Sequence, residues 1–243
     1  AFYDRLEQMV PQIPTTAQPS AGIFGEIYRE IAQKDEEILS VHISSGLSGT
    51  VQSANLGTQE AAQRDVTVFD SMTLSGAQRF QVLAAAWATR QGWQKTAILE
   101  RLSRIRESAE IIYMLETLEY LARGGRIGRV QALAGSLLKL KPVIRVDKAD
   151  GKYSTVGKGR TIKKNLRMIV DHLAEQFDDE PLWVSVLHGR MPTQAEQLAD
   201  ALRARLQVAK LEILRVSPVL GVHTGPGVVG TAVVPIALVE DLL

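Results

Sequence analysis

One unit, used twice early in the chain, constrains the fold more than any other feature: an apolar strand, a loop of small polar residues, then a helix. Ile38-Leu39-Ser40-Val41-His42-Ile43-Ser44 reads as a buried strand, Ser45-Gly46-Leu47-Ser48-Gly49-Thr50 as the loop after it, and Val51 to Gln63 as the helix. Val66-Thr67-Val68-Phe69 repeats the strand and Asp70-Ser71-Met72-Thr73-Leu74-Ser75-Gly76 the loop. Phe80, Leu83, Ala84, Trp87 and Ala88 then recur at helical spacing. This order predicts a parallel sheet with helices packed on it. Ligands of such sheets sit at the carboxyl ends of the strands, where both polar loops fall.

Upstream, Phe2 to Met9 reads as a helix ending before Pro11, and Pro14-Thr15-Thr16-Ala17-Gln18-Pro19-Ser20 as a turn rich in hydroxyls. Ile23, Ile27 and Ile31 mark one face of a further helix. After a helix from Gln94 to Ser108 the pattern changes. Ile111 to Met114 is strand-like, and Thr117 to Arg123 is a helix stopped by Gly124-Gly125. Ile127, Val130, Leu133, Ala134, Leu137 and Leu138 form an amphipathic stripe closed by Lys141-Pro142, since a residue before proline avoids helical geometry. Val143 to Val146 and Lys152 to Val156 flank Ala149-Asp150-Gly151, a hairpin signal. Helices at Thr161 to Phe177 and Pro192 to Leu206 alternate with strands at Leu182 to Leu187 and Leu211 to Val216. A last strand, Val228 to Val234, follows the loop His223-Thr224-Gly225-Pro226-Gly227. The expected architecture is α/β with two domains: residues 1–107 hold the parallel sheet and its helices, and residues 108–243 form an α+β domain.

Composition removes several function classes. Hydrophobic residues at 45% and charged residues at 23% leave enough apolar surface for a packed core, which argues against disorder. Lysine and arginine number 28 against 27 acidic residues, so the net charge of +1 argues against a nucleic-acid surface. Without cysteine there are no disulfides, thiolate metal sites or cysteine nucleophile. No apolar run approaches the ~20 residues that cross a bilayer. Ala1-Phe2-Tyr3-Asp4-Arg5 lacks the basic start and apolar middle of a signal peptide. A cytoplasmic protein with at most transient membrane contact is expected.

Ser44 to Thr50 is the most informative stretch. Its glycines let backbone approach a ligand, and the following helix offers unpaired N–H groups and partial positive charge. A nucleotide-binding P-loop would need a lysine before the Ser/Thr, and this loop has none. Ser44, Ser45, Ser48 and Thr50 supply neutral donors instead, suited to a small anion; a plain helix cap with turn residues fits the spacing equally. Thr15-Thr16 reads as a second donor cluster or a helix start, and Asp70 as a turn cap more than an acid beside a nucleophile. His42, in an apolar strand, and His172, on a helix, read as structural. His188 ends a strand, and His223 sits on permissive backbone where it could donate to an anion. Arg123-Gly124-Gly125-Arg126 and Gly159-Arg160 put arginines on glycine bends, suited to carboxylate or phosphate or simply solvated. No histidine pair has metal-ligand spacing. Many hydroxyls and arginines without a general acid/base pair describe an anion receptor better than a self-sufficient hydrolase.

In order, these motifs resemble the DegV family. The matching stretches are Pro14 to Ser20, Ser44 to Thr50, Asp70-Ser71, Leu118 through Gly125-Arg126-Ile127-Gly128, Lys141-Pro142, Gly159-Arg160-Thr161 and His223 to Gly227. The resemblance implies two domains with one long-chain fatty acid, such as palmitate or oleate, buried between them. It implies a carrier rather than an enzyme, with no catalytic residue, metal or cofactor of its own, which holds the acyl chain while an ATP-dependent fatty acid kinase subunit phosphorylates the carboxylate. On this chain Thr16, Ser48, His223 and Thr224 match the carboxylate site, and Arg126 and Arg160 match arginines tied to phosphate or kinase contact.

Departures from the pattern are few. The family's first strand, carrying Thr-Asp-Ser, and its successor have no counterpart, so the sequence is expected to start partway into the first domain. Ala17 stands where many relatives have serine, and Ala77 and Arg79 where they tend to have glycine. The competing reading is a stand-alone enzyme or binding protein for a small phosphorylated metabolite, using the same loops as a phosphate cradle. It requires a polar pocket wall and a base within reach of substrate.

Overall fold

The computed structural model describes residues 2–9, 12–31, 36–131 and 140–242. The chain opens with α1 (Phe2–Gln8) and α2 (Ala21–Glu30), then β1 (Glu37–His42), α3 (Thr50–Glu60) and β2 (Asp65–Asp70). Strands β1 and β2 pair in parallel from Glu37↔Asp65 to His42↔Asp70, as the twice-used unit predicts. Long helices α4 (Ser75–Arg90) and α5 (Lys95–Ser108) lead into β3 (Glu110–Met114), and the short α6 (Glu119–Arg123) follows. The hairpin of β4 (Lys141–Val146) and β5 (Tyr153–Gly159) comes next. The chain finishes through α7 (Ile162–Phe177), β6 (Leu182–His188), α8 (Pro192–Arg205), β7 (Val208–Arg215), α9 (Pro218–Thr224) and β8 (Val229–Pro235).

The second sheet has six strands in the order β5-β4-β3-β8-β6-β7, with only β6 and β7 parallel. Strands β3 and β8 are buried along their whole length, so they carry side chains that face protein on both sides. One face packs on α4 and α5 through Phe80, Ala84, Leu102 and Ile105, joined by Trp183, which stacks on Trp87. The other face packs on α7 and α8 through Ile169, Leu173, Leu198 and Leu202. Helix α4 also touches β1, so it joins the small parallel sheet to the large one. The first of these clusters takes residues from both sides of residue 108.

Sequence periodicity and structure differ at three places. Ile23, Ile27 and Ile31 do share a helix face, but they are 47%, 41% and 61% exposed; α2 buries Phe24 and Tyr28 instead, against Ile38 and Ala54. Strand β7 begins at Val208, ahead of the expected Leu211, because parallel pairing with β6 starts at Leu182↔Val208. His223 and Thr224 are not loop residues. They close α9, which Ser217 precedes and Pro218 starts, while Gly225 leaves the helix at φ +76°. The stripe from Ile127 to Leu138 lies largely outside the described residues, from 132 onward.

One buried group is costly. Glu110 opens β3 at 1% exposure, and its carboxylate lies 3.5 Å from Arg145 and 3.8 Å from Lys148, beyond good hydrogen bonds. Burial raises its carboxyl above the ordinary range against the pull of both cations. The folded state therefore holds this proton more tightly than the unfolded one. The contribution of Glu110 to stability falls as pH climbs from the unfolded carboxyl's pKa to the folded one, then stays level. Glu110→Gln is expected to raise the melting temperature by a few degrees above neutral pH, with the gain vanishing at acid pH. A gain of equal size at every pH would show that titration of Glu110 is not its source.

Candidate functional site

A cleft of about 590 Å³ opens at the carboxyl end of β1. Its walls come from far apart in the chain: the Thr16 to Pro19 turn, the loop with Leu47 and Ser48, the first turn of α4, Arg126, Tyr153 and helix α9. The volume falls within the range of small-molecule sites. A larger groove of about 670 Å³ runs along β1 and α4. Its charged groups are already matched, Lys95 lying 2.7 Å from Glu37 and 2.8 Å from Asp65. Hydroxyls, two histidines and an arginine together line only the first, among the described residues.

The centre of the cleft is a contact between Thr16 and His223. The Thr16 hydroxyl and His223 Nε2 lie 2.7 Å apart, a hydrogen bond between the turn that precedes α2 and helix α9. His223 Nδ1 is buried without a partner, and burial, then the nearby Arg126 charge, lowers the ring's pKa. Both effects favour the neutral imidazole. Gly124 lies so close that any Cβ there would collide with Nδ1, so glycine is the residue that lets α6 and α9 meet over the ring. Arg126 donates to the carbonyl of Gly124 at 2.7 Å and, more weakly, to that of Leu47 at 3.4 Å. Both partners are neutral carbonyls.

Ser48 completes the cluster. Its hydroxyl lies 2.8 Å from that of Thr50 and accepts from the Thr50 N–H, at the start of α3. Helix α3 is capped by Gly49 without a side-chain bond, so its partial positive charge faces the loop. Gly49 also makes room for the amide of Gln18, which closes the turn over the loop.

Other residues of the motifs have structural work. Ser44 is fully buried and donates to the Gly151 carbonyl at 2.8 Å, tying the loop to the β4–β5 hairpin. Gly46 permits that approach, since a Cβ there would strike the backbone of Asp150 and Gly151. The glycine read as room for a ligand is therefore room for the hairpin. Asp70 accepts from the Met72 and Ser45 N–H groups, a turn cap. Thr224 is buried and its hydroxyl donates to Leu220 at 3.2 Å, so it braces α9 rather than lining the cleft. Arg160 is exposed at the end of β5, apart from the cleft lining, whereas Arg126 lies in it. His188 and His172 also stand apart. His42, read as structural, lines the cleft, because strand alternation does not reveal which face a loop cluster will cover. No group of three or more metal-ligating residues occurs among the described residues, and no helix there is long and apolar enough to cross a membrane.

Comparison with known proteins places the chain in a family. A family model described as "Uncharacterised protein, DegV family" fits residues 1–236. A DegV domain-containing protein of Deinococcus radiodurans is 39% identical over 235 residues, 96% of this chain and 81% of its own length. The structure of a DegV family protein from Thermus thermophilus, described for its fatty acid binding, superposes with a TM-score of 0.87 at 34% identity, covering 96% of this chain and 84% of that one. A stearic acid-binding protein from Eubacterium ventriosum superposes with a TM-score of 0.82 at 25% identity, covering 97% and 84%. Motif order, fold and relatives thus agree from the first helix to the last strand, and the chain belongs to the DegV family.

Proposed function

We propose that this chain is a carrier that holds one long-chain fatty acid in the cleft and offers its carboxylate to a separate ATP-dependent kinase subunit. The observation that carries the reading is the Thr16–His223 contact, which sets a hydroxyl and an imidazole in the same largely apolar cleft as the Arg126 guanidinium. Thr16, Ser48 and His223 hold the carboxylate, and Thr224 acts through the helix that carries His223. A palmitate- or oleate-sized chain offers ~0.8 kcal/mol for each methylene withdrawn from water, on the order of 10 kcal/mol in all. Much of that offsets immobilisation. Cleft residues come from both sides of residue 108, which supports a ligand between an α/β part, residues 1–107, and an α+β part, residues 108–243. The proposal includes a cytoplasmic location and no cofactor.

The test is native mass spectrometry of the purified protein, with lipid identified after release. About one long-chain fatty acid per chain is expected. Protein that carries none and takes up neither oleate nor palmitate would overturn the reading.

Arg126 and Arg160 are proposed to serve the step after binding, because arginine's planar fork meets phosphate oxygens in pairs. Alanine at either position is expected to leave lipid occupancy within about twofold while cutting acyl-phosphate formation with kinase and ATP about a hundredfold. Arg126 lines the cleft and Arg160 does not, so equal loss of occupancy and phosphorylation in Arg126→Ala would assign that residue to the carboxylate instead. A second reading rests on a small pocket of about 220 Å³ lined by Arg126, Arg129 and Lys152, too small for a long acyl chain, in which Arg129 is already paired with Asp147 and Asp150. It predicts retention of a phosphorylated metabolite on purification.

A further inference from the structure

Of the polar side chains that line the same cleft outside the Thr16–His223 contact, three lie on β1 and α4: His42 at the end of β1, and Ser75 and Gln78 in the first turn of α4. His42 is held in place from behind. Its Nε2 lies 2.7 Å from the Ser40 hydroxyl, which lies 2.8 Å from the Tyr28 hydroxyl, and Phe24 meets the ring edge-on at 5.2 Å. Tyr28, Ser40 and Phe24 are not part of the cleft wall, so this relay fixes the ring's orientation without filling the space in front of it. Ser75 sits at φ +51°, a conformation that a residue with a Cβ rarely adopts, at the point where α4 meets the cleft.

Such a wall suits an unbroken hydrocarbon poorly. Methylenes laid against an imidazole, an amide and a hydroxyl take water from those groups and return no hydrogen bond. If Nε2 accepts from Ser40, Nδ1 carries the proton and donates; if Nε2 donates, Nδ1 accepts. An alcohol both donates and accepts, so it satisfies either tautomer of His42 and either end of the Gln78 amide. A double bond does neither.

We propose that His42, Gln78 and Ser75 form a second polar subsite that takes a hydroxyl carried along the acyl chain, so that hydroxylated long-chain fatty acids are the favoured ligands. This rests on the fatty-acid reading above and narrows it to a substrate class.

The test uses the full chain, freed of lipid, and measures displacement of a fluorescent fatty acid by stearate, oleate and a positional series of hydroxystearates. At least one hydroxystearate is expected to bind about tenfold tighter than stearate. His42→Leu and Gln78→Leu should each reduce that ratio, weakening the hydroxystearate and tightening stearate, with circular dichroism like the parent's. Stearate binding as tightly as every isomer overturns the subsite while leaving the fatty-acid reading in place. A ratio that survives both substitutions overturns it too. Failure of the parent to bind any of these lipids removes the fatty-acid reading itself. Should His42→Leu fail to fold, Gln78→Leu decides alone, since Gln78 lies on a surface turn of α4 and makes no bond to the relay.

Discussion

Thr16→Val combined with Ser48→Ala is expected to weaken fatty-acid binding on the order of a thousandfold. Each hydroxyl is assigned one hydrogen bond to a carboxylate, and a bond to a charged group contributes about 1.5–3 kcal/mol, with each 1.4 kcal/mol a factor of ten. The valine also removes the partner of His223 Nε2, leaving a ring whose other nitrogen is already unpaired with no bond at all. Both residues are half-buried and outside the two large cores, so the fold should survive. Displacement titration with oleate, beside thermal melts of both proteins, checks it. Unchanged affinity would mean that the carboxylate sits elsewhere, with Arg126 the next candidate; a large drop in melting temperature would mean that the Thr16–His223 contact holds the fold.

The largest effect on stability is expected from Gly230→Val. Gly230 is the second residue of β8, between Tyr113 on β3 and Leu187 on β6. A Cβ there would strike the Cβ of Tyr113 and the carbonyl of Ile112, and backbone in the centre of a six-stranded sheet has nowhere to move. Valine is therefore expected to cost about 4 kcal/mol or more, at the extreme of single substitutions, with alanine costing less. Strand propensity by itself predicts the opposite sign, because valine is favoured in strands. Urea unfolding of the parent, Gly230→Ala and Gly230→Val separates the two. A valine variant as stable as the parent would show that the β3–β8 contact yields easily.

The substitutions pair differently with the sequence. Gly230 sits in an apolar run, Val228 to Val234, where nothing marks it as a point of contact until β3 is placed beside it. Thr16 and Ser48 stand in stretches rich in hydroxyls, yet such stretches also contain Ser44, which ties a hairpin, and, in the loop after β2, Ser71, which bonds the Thr73 carbonyl of its own turn. Residue type alone could not sort ligand hydroxyls from structural ones, because both roles use short polar side chains at bends. Helix α9 is hidden in the sequence for another reason. Seven residues between Ser217 and Gly225 are too few for a periodic pattern, although Ser217-Pro218 is a helix start that could have been read.

Local chemistry by itself determined the kinds of element and most of their order: the parallel pair, the hairpin at Asp150-Gly151, the long helices α4, α5, α7 and α8, and the family motifs. Periodicity encodes which backbone conformation a segment prefers and that it has an apolar side, and both are properties of neighbours in sequence. Tertiary structure alone decided which side faces what. It turned Ile23, Ile27 and Ile31 outward, spent Gly46 on the hairpin, moved His42 to the cleft wall and left Arg160 apart from it. Above all it brought Thr16 to His223 across 207 positions of chain. That contact depends on how α9 sits beside α6 and how the first turns fold over α3, and free energies of packing between distant elements leave no trace in the spacing of residues along either one.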